Sequence, residues 1–367
     1  MDIEVQHVAR RVVKDVLRLN EADCLQVYAW EHMLPLTREI VKEARRAGAD
    51  TLLTLDSDDV WYDALMNLPK DWLREPSALQ QAVRKAATAV VYVEGPANPE
   101  AMKRIPGDRW RANEEGAEAT YKPFEDDPVP SVDIALGRVT EDRAKTYGFD
   151  YGRWYESVLA ALGADPRVLK ELGERLAKRL RGARRGQLTA RGGTDFEFEF
   201  HGSNPAIFTG EVRPVKGKKS SYFSSLPAGT MSVALEQGSG EGLVVSTTPI
   251  PRLGDFIHGL TLKFSSGRLT QVDAKEHLDY FTTHWTEAKR KEGADQLGFL
   301  TIGLNPEARY GFLENDLVEG AVTVGIGDND WLGGTNQCDY VFPISFKEAT
   351  LQVDGKTLIE NGQIISG

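Results

Sequence analysis

Residues 24–56 constrain the fold more than any other stretch. An apolar strand, CLQVYAW (24–30), leads into a helix over 34–46 that carries Leu36, Ile40, Val41 and Ala44 on one side. Gly48 ends that helix, and TLLTLD (51–56) forms a second strand. A strand–helix–strand unit with connections this short implies a parallel sheet. The pattern extends in both directions. Ile3, Val5, Val8, Val12, Val16 and Leu17 fall largely on one face of an opening helix over 3–18. AATAVVYVEG (86–95), after a helix near 77–86, and VDIALG (132–137) read as further strands. The first half is therefore expected to be an α/β domain with a mostly parallel sheet.

PRVLKELGERLAKRLR (166–181) is a strong helix pattern, with Pro166 in its first turn and a stripe of Leu169, Leu172, Leu176 and Leu180. Its basic face, running into GARRGQ, reads as a solvated surface rather than an anion site. Beyond about residue 187 the texture changes. QLTARGGTDFEFEFHG alternates like a half-buried strand, and residues 260–274 and 349–364 are hairpin-like pairs that turn at glycines. Residues 275–292 look helical. The expected division is an α/β domain over 1–182 and a mixed, mainly antiparallel α+β domain over 187–367.

Charge and composition exclude several functions. Lys plus Arg number 44 against 55 Asp plus Glu, a net charge of −11 with histidine neutral. Such a chain is a poor ligand for a phosphate backbone, so no nucleic-acid partner is expected. No apolar run reaches the ~18 residues of a membrane span. The N-terminus lacks the apolar core and cleavage site of a secretory signal. Cys24 and Cys338 make neither a metal knuckle nor a disulfide framework. A cytoplasmic protein is expected.

The C-terminal half carries the most informative residues. SSLPAGTMSVALEQGSGEGLVV (224–245), IGLNPEAR (302–309), LENDLVEGAVTVGIGDNDWLGGTNQ (313–337) and LQVDGK (351–356) occur in one order, preceded by GGTDFEF (192–198). Each alone is a weak turn-rich signal, but five in register are fairly specific. Together they resemble the M29 family of metallo-aminopeptidases, of the aminopeptidase T and S type, over essentially the whole chain. The resemblance implies an M29-like fold with an α/β and a mixed domain, in a homodimer that encloses a cavity. It also implies two divalent metals activating water against a peptide bond, chemistry that needs carboxylates and imidazoles converging on the ions.

This chain departs from the family at those ligands. The carboxylate of the family's LPxGE falls on Thr230 of LPAGT, and the Glu before its GLNP-type stretch falls on Phe299. The next Glu falls on Asp316, a conservative change, and the following His on Thr323. The His-x-Asp pair falls on Val341 and Pro343, and a Tyr found in some members falls near Asp330. The histidine count agrees with this mapping. His7, His32, His201, His258, His277 and His284 all precede residue 285. His277 and His284, on one face of a helix but roughly 10 Å apart at ~1.5 Å per residue, stand too far apart for one ion.

The resulting expectation is an aminopeptidase-like protein whose metal site is degenerate, with no metal ligands retained as a set and no cofactor. It is expected to act on a small-molecule or peptide-like ligand in an inter-domain or dimer cavity. Asp316, Thr323 and Thr230 are the candidate catalytic residues, Asp316 as a desolvated general acid or base. Asp328, Asp330, Trp331, Asn336, Asp339 and Phe299 are the candidate ligand-binding residues. The blander readings are that Asp328 and Asn329 shape the turn in GIGDNDWLGG, that Trp331 caps a core edge, and that Cys338 is a small core residue. GSGEG (238–242) reads as a turn. No GxSxG, P-loop or HExxH motif supplies another chemistry. Two alternatives stand beside this reading. One is a working metallo-aminopeptidase with a divalent metal such as zinc on relocated ligands drawn from Asp316, Asp328, Asp339 and a histidine. The other is a non-catalytic binding or scaffold protein.

Overall fold

A computed structural model describes residues 2–365 apart from 94, 203, 253, 289–292 and 339. By their contacts the residues form two compact units, 1–158 with 210–226, and 159–209 with 227–367.

The first unit is built on a five-stranded sheet. Its strands run in the spatial order Asp50–Asp56, Cys24–Trp30, Ala89–Val93, Ser131–Ile134, Phe223–Leu226, and every neighbouring pair is parallel. The helix Leu34–Arg46 makes the first crossover. Pro35 suits its first turn, and Leu36, Ile40 and Ala44 are buried along one face. Gly48 turns the chain at φ +94°, where a side chain would press on Glu21. The opening helix, Asp2–Arg11, continues as a wider turn over Val12–Val16. The fifth strand, Phe223–Leu226, reaches this sheet from the second half of the sequence. Its pairing is invisible to local pattern.

The second unit is antiparallel. Eight strands form one sheet, in the order Arg268–Asp273, Thr261–Ser265, Glu241–Val245, Thr194–Glu199, Arg185–Ala190, Thr350–Val353, Lys356–Glu360, Gln363–Ile364. In Thr194–Glu199 the phenylalanines 196 and 198 are buried while Glu197 and Glu199 are exposed, the alternation of a half-buried strand. The stretch read as one strand at 187–202 is thus a hairpin, turning at Gly192 and Gly193, both at positive φ. GSGEG turns the chain and then enters the strand Glu241–Val245. The helix near the end is Leu278–Ala288, so His277 precedes it at φ +58° and stacks on Tyr280. His277 therefore lies just ahead of the helix expected to carry both it and His284, and the side chain of His284 lies outside the described residues.

A second sheet of five strands runs Val341–Phe346, Val322–Gly327, Leu297–Gly303, Thr230–Ala234, Ala206–Phe208. One face of it belongs to a single buried cluster. That cluster takes Val233, Leu300, Val322 and Ile344 from this sheet, Phe196 and Phe198 from the larger one, and Leu169, Leu172, Leu176 and Leu180 from the helix Pro166–Leu180. The leucine stripe of that helix, expected with the first domain, is buried here in the second unit because these apolar faces need one another.

Candidate functional site

The other face of the five-stranded antiparallel sheet gathers five of the positions singled out by sequence. In an antiparallel ladder, directly opposed residues share a face and alternate residues along a strand return to it. Ser232 opposes Thr301, Thr301 opposes Thr323, and Thr323 opposes Ser345, so four hydroxyls cross four strands in one row. Ser232 and Thr301 are hydrogen-bonded at 2.7 Å, and Thr323 and Ser345 at 2.9 Å. Thr323 is 2% exposed, and its hydroxyl is satisfied within the sheet. Thr230 lies two residues from Ser232 and opposes Gly303. Val341 and Pro343 continue the face along the neighbouring strand, opposite Gly327 and Gly325.

Phe299 opposes Gly325 on this face. Its ring lies over Gly325 so closely that a Cβ there would collide with it. Trp331 packs on the ring edge-on, centroids 5.5 Å apart, and Phe208 meets Trp331 at 5.9 Å. The aromatic at 299 and the glycine at 325 are thus one steric arrangement. Trp331 is partly buried by these rings.

Asp316 sits in the short turn Asn315–Leu317. Backbone carbonyls of Asp316 and Val318 press against Gly303, the residue opposite Thr230. Desolvation pushes the Asp316 carboxyl above its ordinary range, while the amides of Asp316 and Leu317 pull the other way. A folded-state value above the unfolded one contributes stability at low pH that is lost as the pH rises through the folded value. Asp316→Asn, which cannot ionise, is therefore expected to be more stable than the wild type at neutral pH. The difference closes as the pH falls toward 3.8, the group's ordinary value. Urea unfolding across that range measures it, and a variant less stable at every pH contradicts it.

The loop 328–340 is organised by two asparagines. Asn329 is 0% exposed; its Nδ2 donates to the carbonyls of Leu235 (3.2 Å) and Gly298 (2.8 Å), and its Oδ1 accepts from the Asn336 amide at 2.9 Å. Asn336 donates its own Nδ2 to Gly293 (3.0 Å) and Gly327 (2.7 Å). The side chain of Asn336 therefore ties the loop to backbone on either side of the strands Leu297–Gly303 and Val322–Gly327. Asp328 accepts from the Cys338 amide at 3.3 Å, closing the turn, and the Cys338 thiol donates to the Tyr340 carbonyl at 3.5 Å. Asp330 lies in the turn Asp330–Leu332. Asp339 lies outside the described residues.

The structure thus brings Thr230, Phe299, Thr323, Val341 and Pro343 to one sheet face, with the turn of Asp316 beside it. Ser232, Thr301, Ser345, Phe208 and Gly325 belong to the same face but were not singled out by sequence. A usable signal exists in TIG and VTVGIG, where Thr and Gly alternate with large apolar residues. Among the mapped positions, the side chains on the sheet face do not suit a divalent ion, whereas Asp316 and Asp330 keep carboxylates. Hydroxyls bonded to each other, a phenyl ring, Val and Pro supply no anionic oxygen or imidazole to offset ion dehydration. Among the described residues no three His, Cys, Asp or Glu side chains stand close enough to hold a metal. A groove of about 380 Å³ lies along the larger sheet, lined by Arg185, Glu197, Glu199 and Gln352.

Comparison with solved structures establishes the fold. The chain superposes on wild-type AmpT from Thermus thermophilus with a TM-score of 0.75 at 14% identity, covering 99% of both chains. It superposes on 2,5-dihydroxypyridine dioxygenase from Pseudomonas putida KT2440 with a TM-score of 0.64 at 15% identity, covering 100% of this chain and 98% of that one. No family model matches the sequence, and a search of curated proteins returned no match. The aminopeptidase-like fold is therefore shared, at an identity too low to carry an activity with it. Among the described residues, no helix is long and apolar enough to cross a membrane.

Proposed function

We propose that this chain uses an aminopeptidase-like scaffold without a dinuclear metal centre, to bind and transform a small molecule at the hydroxyl-bearing face. One observation carries the reading. Five of the seven mapped positions, Thr230, Phe299, Thr323, Val341 and Pro343, share a face, and that face carries hydroxyls and an aromatic cover where such a centre would need carboxylates and imidazoles, leaving Asp316 and Asp330 as the mapped carboxylates. That a structural neighbour is named a dioxygenase supports the view that this fold is not tied to peptide hydrolysis. Asp316 is the group we assign to proton transfer, since a desolvated carboxyl can hold a proton that an exposed one loses. Trp331 and Phe299 would set the shape of the ligand through their flat rings.

A non-catalytic binding role is the second reading, favoured by the rings of Phe208, Trp331 and Phe299 packing on one another and by the side-chain N–H groups of Asn329 and Asn336 being bonded to backbone carbonyls.

The test combines metal analysis with ligand screening. Protein purified without chelators is expected to carry far less than one zinc, manganese, cobalt or iron per chain. Thermal-shift screening of amino acids, dipeptides and small heteroaromatic acids is expected to give a stabilising ligand whose turnover Asp316→Asn abolishes while binding persists. Stoichiometric metal with chelator-sensitive aminopeptidase turnover would falsify the proposal. A bound ligand that is never turned over selects the second reading.

A further inference from the structure

Far along the chain from those residues, the first unit presents an incomplete surface. The strand Asp50–Asp56 ends its parallel sheet, and among the described residues it pairs only with Cys24–Trp30. Its outward N–H and C=O groups have no ladder partner. Such edges in folded proteins are usually covered, charged along their length or kept short. This one is seven residues long, and Leu52 and Leu55 within it are 46% and 45% exposed.

The helix Ala78–Ala86 runs beside it and continues the apolar surface. Leu79, Ala82, Val83 and Ala86 recur at the i, i+3, i+4, i+7 spacing of one helix face, and Leu79 is 77% exposed. A buried helix stripe would be shielded; this one is open. Between helix and edge strand lies a groove of about 520 Å³ lined by Cys24, Gln26, Leu52, Ala82, Val83 and Ala86. Gln26 is 2% exposed, and its side-chain oxygen has no hydrogen-bond partner. A buried acceptor left unpaired in a folded protein calls for an explanation, and an incoming donor is one.

The charges around the groove select the occupant. Glu21, Asp23 and Asp50 cluster at one end of the strand, where the Asp50 amide donates to the Asp23 carbonyl and Gly48 touches Glu21. Asp56 and Asp59 follow at the other end. Arg45, which donates to the Thr51 hydroxyl at 2.7 Å, contacts the strand between them, and Lys85 is exposed on the helix. A second copy of this chain is a poor occupant, because full antiparallel self-pairing sets Asp50 against Asp56 of the other copy and brings together two chains of charge −11.

We propose that the edge strand Asp50–Asp56 and the helix Ala78–Ala86 form a docking site for an extended segment of another protein. The segment has alternate apolar residues and Lys or Arg at both flanks. It adds as a sixth strand to the sheet: the backbone ladder supplies affinity, its apolar side chains fill the groove against Leu52 and Val83, and its basic flanks meet the acidic ends.

Fluorescence anisotropy with a fluorescein-labelled KVTVTVK peptide tests this on the full chain. Saturable binding is expected, weakened about tenfold or more by Leu52→Ser and by Ala82→Lys, both at exposed positions, and weakened similarly for an EVTVTVE peptide. Circular dichroism of the variants verifies that they remain folded. Absence of saturable binding at millimolar peptide overturns the proposal, as does equal binding to Leu52→Ser or equal affinity for the acidic peptide. A dimer that Leu52→Ser converts to monomer in sedimentation makes a second copy the occupant and overturns it as well. None of these readouts depends on metal content or turnover, so the proposal stands or falls apart from the one made for the antiparallel sheet.

Discussion

Asn305→Ala is expected to lower the stability of the second unit by about 3–4 kcal/mol, the largest loss foreseen for one polar residue. The side chain is 0% exposed and makes four hydrogen bonds to backbone. Its Nδ2 donates to the carbonyls of Ala161 at 3.0 Å and Ala228 at 2.7 Å. Its Oδ1 accepts from the amides of Glu307 at 2.9 Å and Ala308 at 3.2 Å. Alanine removes all four bonds; the Ala161 carbonyl and the Ala308 amide keep weaker backbone partners in Ala164 and Asn305, so the Ala228 carbonyl and the Glu307 amide bear most of the loss, at about 1–3 kcal/mol for each unpaired group before relaxation. The backbone of the same residue holds the candidate site, through bonds that alanine keeps. The Asn305 amide donates to Leu317 and its carbonyl accepts from Glu319, so the residue grips both ends of the turn that carries Asp316. Asn305→Asp is the informative companion. It keeps the two acceptor bonds, forfeits both donor bonds and buries a carboxylate, so it is expected to be no better than alanine. Urea unfolding read by tryptophan fluorescence measures both. An alanine variant within about 1 kcal/mol of the wild type would show that the four bonds are replaced by solvent.

Gly325→Ala is the second large effect, at about 2–3 kcal/mol. A methyl at this position enters the Phe299 ring, and the ring cannot retreat because Trp331 packs against it 5.5 Å away. Glycine inside a strand is ordinarily unfavourable, so the substitution would stabilise a strand whose opposing residue were small. That reversal is the check. In a Phe299→Ala background the same Gly325→Ala change is expected to become neutral or stabilising, giving a coupling of about 2 kcal/mol between the two positions. Equal costs in both backgrounds would show that backbone strain, not the ring, demands the glycine. An aromatic at 299 tolerates nothing larger than glycine at 325, so both positions must be occupied together.

The candidate site was legible unevenly, for reasons visible in particular residues. Thr230, Phe299, Thr323, Val341 and Pro343 were reached by matching motifs in order, and their common face follows once the strands pair. Asn336 was read as facing a ligand, yet its amide closes a loop on Gly293 and Gly327, partners distant in sequence. Asn329 was read only as a turn residue, and its burial beneath Leu235 and Gly298 could not be inferred from the turn. Trp331 stood between a ligand wall and a core edge, and the rings it meets come from two separate strands.

The sequence by itself determined whatever depends on neighbours a few residues apart. It set the strand–helix–strand order that makes the first sheet parallel, the leucine stripe of Pro166–Leu180, and the glycine turns of the hairpins. It also settled the chemical inventory, with every histidine ahead of residue 285. Tertiary structure alone decided the partnerships between distant strands. Phe223–Leu226 completes a sheet begun at Cys24, and Ser232, Thr301, Thr323 and Ser345 form one row although each stands on a different strand. The physical reason is register. A strand's pattern states which residues share a face, but a cross-strand neighbour is chosen by the burial of whole faces, and a slip of one residue would turn every hydroxyl in that row into the core.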